Sequence, residues 1–157
     1  MSHSSSTVLA VTDLTVASYR LVGFAATVAK PADGEVVLIS SYRESRVRQT
    51  DPPSDPALKR LHRRRVEASL RHEGQLLERQ RQWCADRGVR CRAELFEEAS
   101  WPDFIISSAR RAGADLILLG ERLLGTDSNI LPEDMKRLAS DAPCPVSLVQ
   151  MPTFWVF

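Results

Sequence analysis

Three residues that could contact a polar ligand each close a short apolar segment of the chain. Asp13 ends the run TVLAVTD, Ser40 ends VVLIS and Gly120 ends DLILLG. Such runs are typical of strands buried on both faces of a parallel sheet. Ligands of these sheets bind beyond the carboxyl ends of the strands. We therefore expect a carboxylate, a hydroxyl and the backbone at a glycine to line one crevice.

No catalytic constellation accompanies these residues. His62 and His72 lack the i, i+4 spacing of a metal-binding pair, and no Ser, Cys or Asp lies in a nucleophile motif such as G-x-S-x-G. The three cysteines, Cys84, Cys91 and Cys144, form no C-x-x-C pair, which favours reduced thiols over a zinc site or a disulfide framework. We expect a binding protein without a metal and without enzymatic activity.

Apolar runs alternate with segments at helical spacing, and this order predicts one α/β domain with a parallel sheet and helices on both faces. The segment Val89–Phe96 alternates polar and apolar residues, so we place it near a sheet edge. The predicted strands are residues 7–13, 36–40, 89–96, 115–120 and 144–149. The predicted helices are about 15–29, 57–87, 101–112 and 132–140, with Gly88 and Gly113 ending two of them.

Two of these helices allow more detailed predictions. Thr15 is placed to cap the first helix, in which apolar residues recur at helical spacing: Val16, Tyr19, Val22 and Ala26. The second, long helix is expected to bury a stripe formed by Leu58, Leu61, Val66, Leu70, Leu77 and Cys84.

Length and charge restrict the function. The chain has 157 residues, enough for one domain, and its net charge of +1 gives no overall field for nucleic acid or a membrane surface. The basic run Lys59–Arg65 lacks interleaved aromatics, so we interpret it as a solvated helix face. No secretory signal precedes the first strand, which favours a cytoplasmic protein. We expect a disordered tail at 1–6, a domain at 7–150 and an apolar tail at 151–157.

Three further segments, taken together, indicate a family. Val8–Asp13 is followed by Leu14-Thr15, residues 113–120 are GADLILLG, and residues 142–146 are APCPV. In this order and spacing they resemble the universal stress protein family over residues 8–150. The resemblance implies a Rossmann-like sheet of the adenine nucleotide alpha hydrolase type, with five parallel strands in the order 3-2-1-4-5. It also implies that Asp13 occupies the position at which the family's acid contacts the adenine or ribose of a ligand; the alternative is an acid that caps or hydrogen-bonds a nearby loop.

The segment after Gly120 departs from the family pattern. Members that bind ATP carry G-x-x-G-x9-G-[S/T], and here Leu123 stands for the second glycine while Gly125 is out of register. Pro132-Glu133 replaces the last glycine and its hydroxyl partner, after a loop shortened by one residue. The resulting candidate crevice comprises Asp13, Ser40, Gly120, Arg122, Leu123, Gly125, Pro132 and Glu133.

These replacements disfavour ATP, because Pro132 has no N–H to donate and Glu133 places a negative charge at a helix N-terminus. We expect no cofactor. Residues 131–135 resemble the T-P-x-D-W segment of the E-type members, which also lack the ATP motif and are usually tandem. This chain has a single domain, so two copies would have to associate to reproduce that arrangement.

The apolar, aromatic end of the chain predicts a docking tail, since an exposed FWVF terminus would promote aggregation. The family resemblance implies a homodimer formed by the last strand, and the alternative is a tail folded over its own domain. The candidate interface residues are Pro145, Ser147, Val149, Phe154, Trp155 and Phe157.

Three functions compete at this stage. The leading hypothesis is a non-enzymatic stress-response module that acts as a homodimer and through an unidentified protein partner. The alternative is a small-molecule sensor that binds a nucleoside, a nucleotide or a hydrophobic ligand in the crevice, which Leu123 and Leu124 make more apolar. An enzyme of the ATP-pyrophosphatase type is disfavoured because it needs an intact phosphate loop.

Overall fold

The structure is a computed structural model that describes residues 6–41, 54–96, 101–120 and 132–149. Strands and helices alternate through these residues as the sequence predicts. The strands are β1 Thr7–Val11, β2 Glu35–Ser41, β3 Arg90–Phe96, β4 Leu116–Gly120 and β5 Val146–Val149. The helices are α1 Ser18–Ala29, α2 Pro56–Ala85, α3 Trp101–Ala112 and α4 Pro132–Asp141, and a 3-10 turn at Lys30–Ala32 follows α1.

The five strands form one parallel sheet in the order β3-β2-β1-β4-β5, which confirms the predicted fold class. Val11 lies opposite Ile39 on one side and Leu119 on the other, while Gly120 lies opposite Val149. The carboxyl ends of β1, β2, β4 and β5 therefore meet at one edge of the sheet. β3 and β5 are its outer strands.

Two apolar layers cover the sheet, because successive residues of a strand point to opposite faces. Leu9 and Val11 of β1 pack in the layer that contains Ile105 of α3 and Leu138 of α4. The alternate residues of the strands pack on the other face with α1 and the second half of α2: Val8, Ala10, Leu38 and Leu118 with Leu21, Val22, Leu77 and Cys84. This two-sided burial explains the uninterrupted apolar runs of β1 and β4.

The predicted stripe on α2 is wrong for its first two turns. Leu58 and Leu61 are 49% and 58% exposed, whereas Val66, Leu77 and Cys84 are buried. The helix has 30 residues and is about 45 Å long, about twice the length of a seven-residue strand. The sheet and α1 cover only part of such a helix, so its N-terminal third has no layer to pack against within the described residues.

Both glycines predicted to end helices have the backbone that this role requires. Gly88 follows α2 with φ 83° and Gly113 follows α3 with φ 63°, in the left-handed region that side chains with a Cβ disfavour. No helix in the described ranges is both long enough and apolar enough to span a bilayer.

Candidate ligand crevice at the carboxyl ends of the strands

The structure places Asp13, Ser40 and Gly120 at the same edge of the sheet. Val11 pairs with Ile39 and with Leu119, and Ser40 and Gly120 are the next residues along those two strands. Asp13 lies two residues after Val11 in the chain. Ser40 is only 2% exposed, so its hydroxyl points into the protein, whereas Asp13 is partly exposed. The predicted crevice residues Arg122, Leu123 and Gly125 lie outside the described residues.

Asp13 is held in a tight local turn. Its Oδ1 atom accepts a 3.0 Å hydrogen bond from the backbone N–H of Thr15 and a 2.6 Å bond from the Thr15 hydroxyl. Thr15 therefore satisfies Asp13 and does not cap α1, which begins at Ser18 without a side-chain cap. The predicted helix start was wrong, and Val16, expected on the packed stripe, is 88% exposed. The physical reason is that an Asx turn competes with the helix for the same donors.

The residue after Asp13 has an unusual backbone. Leu14 has φ 64°, a left-handed conformation that costs a residue with a side chain on the order of 1 kcal/mol or more. Its N–H donates to the hydroxyl of Thr12 over 3.1 Å, which helps to fix this conformation. Strain of this kind persists only where neighbouring contacts determine the backbone.

A buried polar network fixes the base of this turn. The hydroxyl of Thr12 donates to Oε1 of Gln80 over 2.8 Å, and Nε2 of Gln80 donates to the Ser18 hydroxyl over 2.7 Å. Ser18 in turn donates to the carbonyl oxygen of Thr15 over 2.6 Å. Thr12, Ser18 and Gln80 are each at most 1% exposed, so these hydrogen bonds form away from water.

Gln80 was not among the predicted site residues, although its position in the sequence indicates a buried polar side chain. Gln80 lies three residues after Leu77 and four before Cys84, on the buried stripe of α2. A polar residue at such a position must find a hydrogen-bond partner inside the protein. Its partners flank Asp13, so α2 is connected directly to the candidate crevice.

Helix α4 approaches the crevice with an acidic N-terminus. Pro132 is its first residue, and Glu133 and Asp134 lie in its first turn. Glu133 is exposed. An ion pair between Arg137 and Asp103 joins α4 to α3, so the helix is held on the sheet. The arrangement puts two carboxylates beside the first N–H groups of α4, where the helix dipole favours negative charge.

The predicted interface residues Ser147 and Val149 lie in β5, an outer strand of the sheet, and Pro145 directly precedes it. Pro145 and Ser147 are exposed and Val149 is partly exposed. Leu148, which the prediction did not include, is 49% exposed. Phe154, Trp155 and Phe157 lie outside the described residues.

In the described part of the chain, no group of three or more His, Cys, Asp or Glu side chains could hold a metal ion. The arrangement at the carboxyl edge is thus one carboxylate in a fixed turn, a buried network below it and an acidic helix N-terminus beside it.

A family model supplies the classification that the fold alone cannot give. The model described as the universal stress protein family matches residues 5–150. The chain belongs to the universal stress protein family. This match confirms the family resemblance found in the sequence. A comparison with curated proteins found no match.

Solved structures of universal stress proteins share its fold. UspA from Lactobacillus plantarum is 18% identical, with a TM-score of 0.66 over 92% of this chain and 97% of its own. A family member from Burkholderia pseudomallei is 22% identical, with a TM-score of 0.63 over 92% and 96%. A universal stress protein from Archaeoglobus fulgidus, in complex with dAMP, is 16% identical, with a TM-score of 0.60 over 94% and 98%.

Proposed function

We propose that this universal stress protein is a non-enzymatic stress-response module that acts as a homodimer and does not bind ATP. The observation that carries the proposal is the start of α4, where Pro132, Glu133 and Asp134 stand in the first turn of a helix that adjoins the crevice.

The start of α4 is unfavourable for a triphosphate in two ways. A proline at the first helical position removes a backbone N–H that a phosphate oxygen would accept from. The carboxylates of Glu133 and Asp134 already interact with the helix dipole and repel an anion, by about 1 kcal/mol in water and more if water is excluded. Each lost charge-assisted hydrogen bond adds about 1.5–3 kcal/mol. These terms would weaken a micromolar nucleotide site to millimolar affinity or worse.

The open edge at β5 supports the homodimer. β5 has four residues, pairs with β4, and carries Leu148 half-exposed. An uncharged outer strand with free N–H and C=O groups is a template for pairing with another chain. A second copy, related by a two-fold axis, would pair β5 with β5 and bury both Leu148 side chains.

A second candidate function, a nucleoside sensor, is favoured by Asp13. Its carboxylate is partly exposed and held in place by Thr15, so it is preorganised to accept hydrogen bonds from a ribose or a base. The Archaeoglobus fulgidus relative was solved in complex with dAMP. A nucleoside would need no contact with the acidic start of α4.

Thermal shift and calorimetry with Mg-ATP and with adenosine test both candidates. We expect millimolar Mg-ATP to leave the melting temperature unchanged. A rise of several degrees at tens of micromolar ATP would contradict the proposal. Stabilisation by adenosine that Asp13→Asn abolishes would favour the sensor.

A gain-of-function variant tests the cause. Leu123→Gly, Pro132→Gly and Glu133→Ser together restore the glycines and the hydroxyl of the ATP-binding members in a loop that stays one residue shorter, and we expect them to produce measurable Mg-ATP stabilisation. Asp141→Ser removes a carboxylate from the other end of α4 and is the matched control, for which we expect no change. Failure of the triple variant to bind would show that these residues are not what excludes ATP.

A further inference from the structure

Two thiols meet at the amino end of the sheet, away from the crevice. Cys84 lies in the last turn of α2 and Cys91 is the second residue of β3. Both belong to the apolar layer between the sheet and helices α1 and α2, and the two thiols interact closely enough that each shifts the pKa of the other. The Cys91 thiol donates to the carbonyl oxygen of Arg92 over 3.7 Å. The third cysteine, Cys144, packs against the layer on the opposite face of the sheet.

The two thiols differ in exposure. Cys84 is completely buried, whereas Cys91 is partly exposed on an outer strand. A small oxidant can therefore reach the Cys91 sulfur, while Cys84 lies buried in the same apolar layer. This pairing of an accessible thiol with an adjacent buried one is the arrangement of a redox-sensitive cysteine and its resolving partner.

Charged neighbours act on both thiols. Interaction with the Cys91 thiol lowers the pKa of Cys84, burial opposes this shift, and the charge of Arg87 lowers the pKa further. Interaction with Cys84 and burial raise the pKa of Cys91; Glu35 adds to this rise and Arg81 acts in the opposite direction. The two thiols therefore titrate as a unit, which loses its first proton more easily than its second. Cys91 is the sulfur that solvent reaches, so it is the one that meets an oxidant.

We propose that Cys84 and Cys91 are a redox-sensitive pair that a hydroperoxide converts to an intramolecular disulfide. The Cys91 thiolate attacks a peroxide oxygen, the O–O bond breaks, and hydroxide leaves and takes up a proton as water. The product is a sulfenic acid. The Cys84 sulfur then attacks the Cys91 sulfur, the S–S bond forms, the S–O bond breaks, and a second water carries away the Cys84 proton. The two thiols lose two electrons and the peroxide gains them.

The fold permits this closure. An S–S bond requires the two sulfur atoms to approach to about 2 Å, closer than two thiols that are not bonded to each other. β3 is an outer strand, so a small shift of Cys91 disturbs its pairing with β2 alone. The connection at residues 86–89 contains Gly88, whose left-handed backbone already turns the chain back on itself. The disulfide would join α2 to the sheet edge across a ring of eight residues.

Hydrogen peroxide treatment of the reduced, full-length protein, followed by alkylation and peptide mapping, tests this proposal. We expect the mass to fall by two hydrogen atoms, one link between Cys84 and Cys91, and full reversal by dithiothreitol. Cys144→Ser is the matched control and should behave as the wild type. Alkylation of both Cys84 and Cys91 after peroxide treatment, earlier oxidation of Cys144, or a disulfide between two chains would overturn the proposal.

Two variants and one physical measurement separate the steps. Cys84→Ser should stop at a Cys91 sulfenic acid that dimedone traps, and Cys91→Ser should give neither product; dimedone labelling in Cys91→Ser would assign the wrong sulfur. The wild type alone gives an independent test, since the cross-link should raise the melting temperature by about 5 °C. A lower melting temperature after oxidation would show that the fold opposes the bond.

Discussion

The β3 edge of the sheet and the β5 edge differ in charge and in length. β3 has seven residues and exposes the side chains of Arg90, Arg92 and Glu94 to solvent. Arg92 forms an ion pair with Glu35, and Oε1 of Glu94 lies 3.4 Å from the guanidinium Nη2 of Arg111. β5 has four residues, VSLV, none of them charged, and its Leu148 is 49% exposed.

This difference indicates which edge another chain can approach. A second strand added beside β3 would bring its side chains against three charged ones, two of them already in ion pairs, and would have to desolvate them. A strand added beside β5 meets a leucine, a serine and two valines. Among the described residues the sheet is therefore charged along one edge and uncharged along the other, and the homodimer that we propose would use the uncharged edge.

The largest effect is expected from a charge at the centre of β5. Leu148→Glu would place two like charges opposite each other across a two-fold axis and should weaken dimerisation by about 100-fold or more. Sedimentation velocity over a concentration series measures this shift. The matched control is Arg90→Glu at the β3 edge, which should leave the monomer–dimer equilibrium unchanged. Equal effects of the two variants would remove the distinction between the edges.

Removal of the aromatic tail should have an intermediate effect. Deletion of residues 153–157 removes the apolar, aromatic residues that the sequence predicts to dock at the dimer interface, and we expect about tenfold weaker dimerisation, corresponding to roughly 1.4 kcal/mol. Analytical ultracentrifugation compares the shortened and complete chains. An unchanged dissociation constant would exclude the tail from the interface and would leave β5 as its whole basis.

The smallest effect on stability should come from neutralising the protected edge. Arg92→Val with Glu94→Val removes two exposed ion pairs, which contribute about 1 kcal/mol or less each to the free energy of unfolding. We expect denaturant titration to show little change, while light scattering at high concentration detects assemblies larger than a dimer. Loss of folding without increased association would mean that the charges stabilise β3 and do not prevent other chains from pairing with it.

Most of the fold could be predicted because each strand is short and the order of polar and apolar residues along it shows which of its faces are buried. β1 and β4 appear as continuous apolar runs, and the alternation of residues 89–96 correctly placed β3 at an edge. Leu58 and Leu61 were misplaced for a different reason. Helical spacing identifies the apolar face of α2 but carries no information on how far the neighbouring layer extends, and that extent depends on strands distant in sequence.

The candidate site was predicted less completely. The position of Asp13 beyond β1 followed from the strand pattern, but its turn with Thr15 depended on a local competition that helix-capping preferences do not resolve. Gln80 lies more than sixty residues from its partners in the chain, so only the tertiary structure identifies them. The predicted roles of Arg122, Leu123 and Gly125 fall on residues that the structure does not describe, and they stay predictions.

The amide of Gln80 has a mechanical consequence for the whole molecule. Its amide accepts from Thr12 and donates to Ser18 at once; glutamate has no donor for Ser18 when ionised, and leucine would leave both of these hydrogen bonds unmade. Through this amide the C-terminal third of α2 is bound to the strand end that precedes Asp13. A partner that binds the exposed first turns of α2 and rotates the helix by a few degrees would therefore also move the Asp13 carboxylate, because Gln80 connects the two directly.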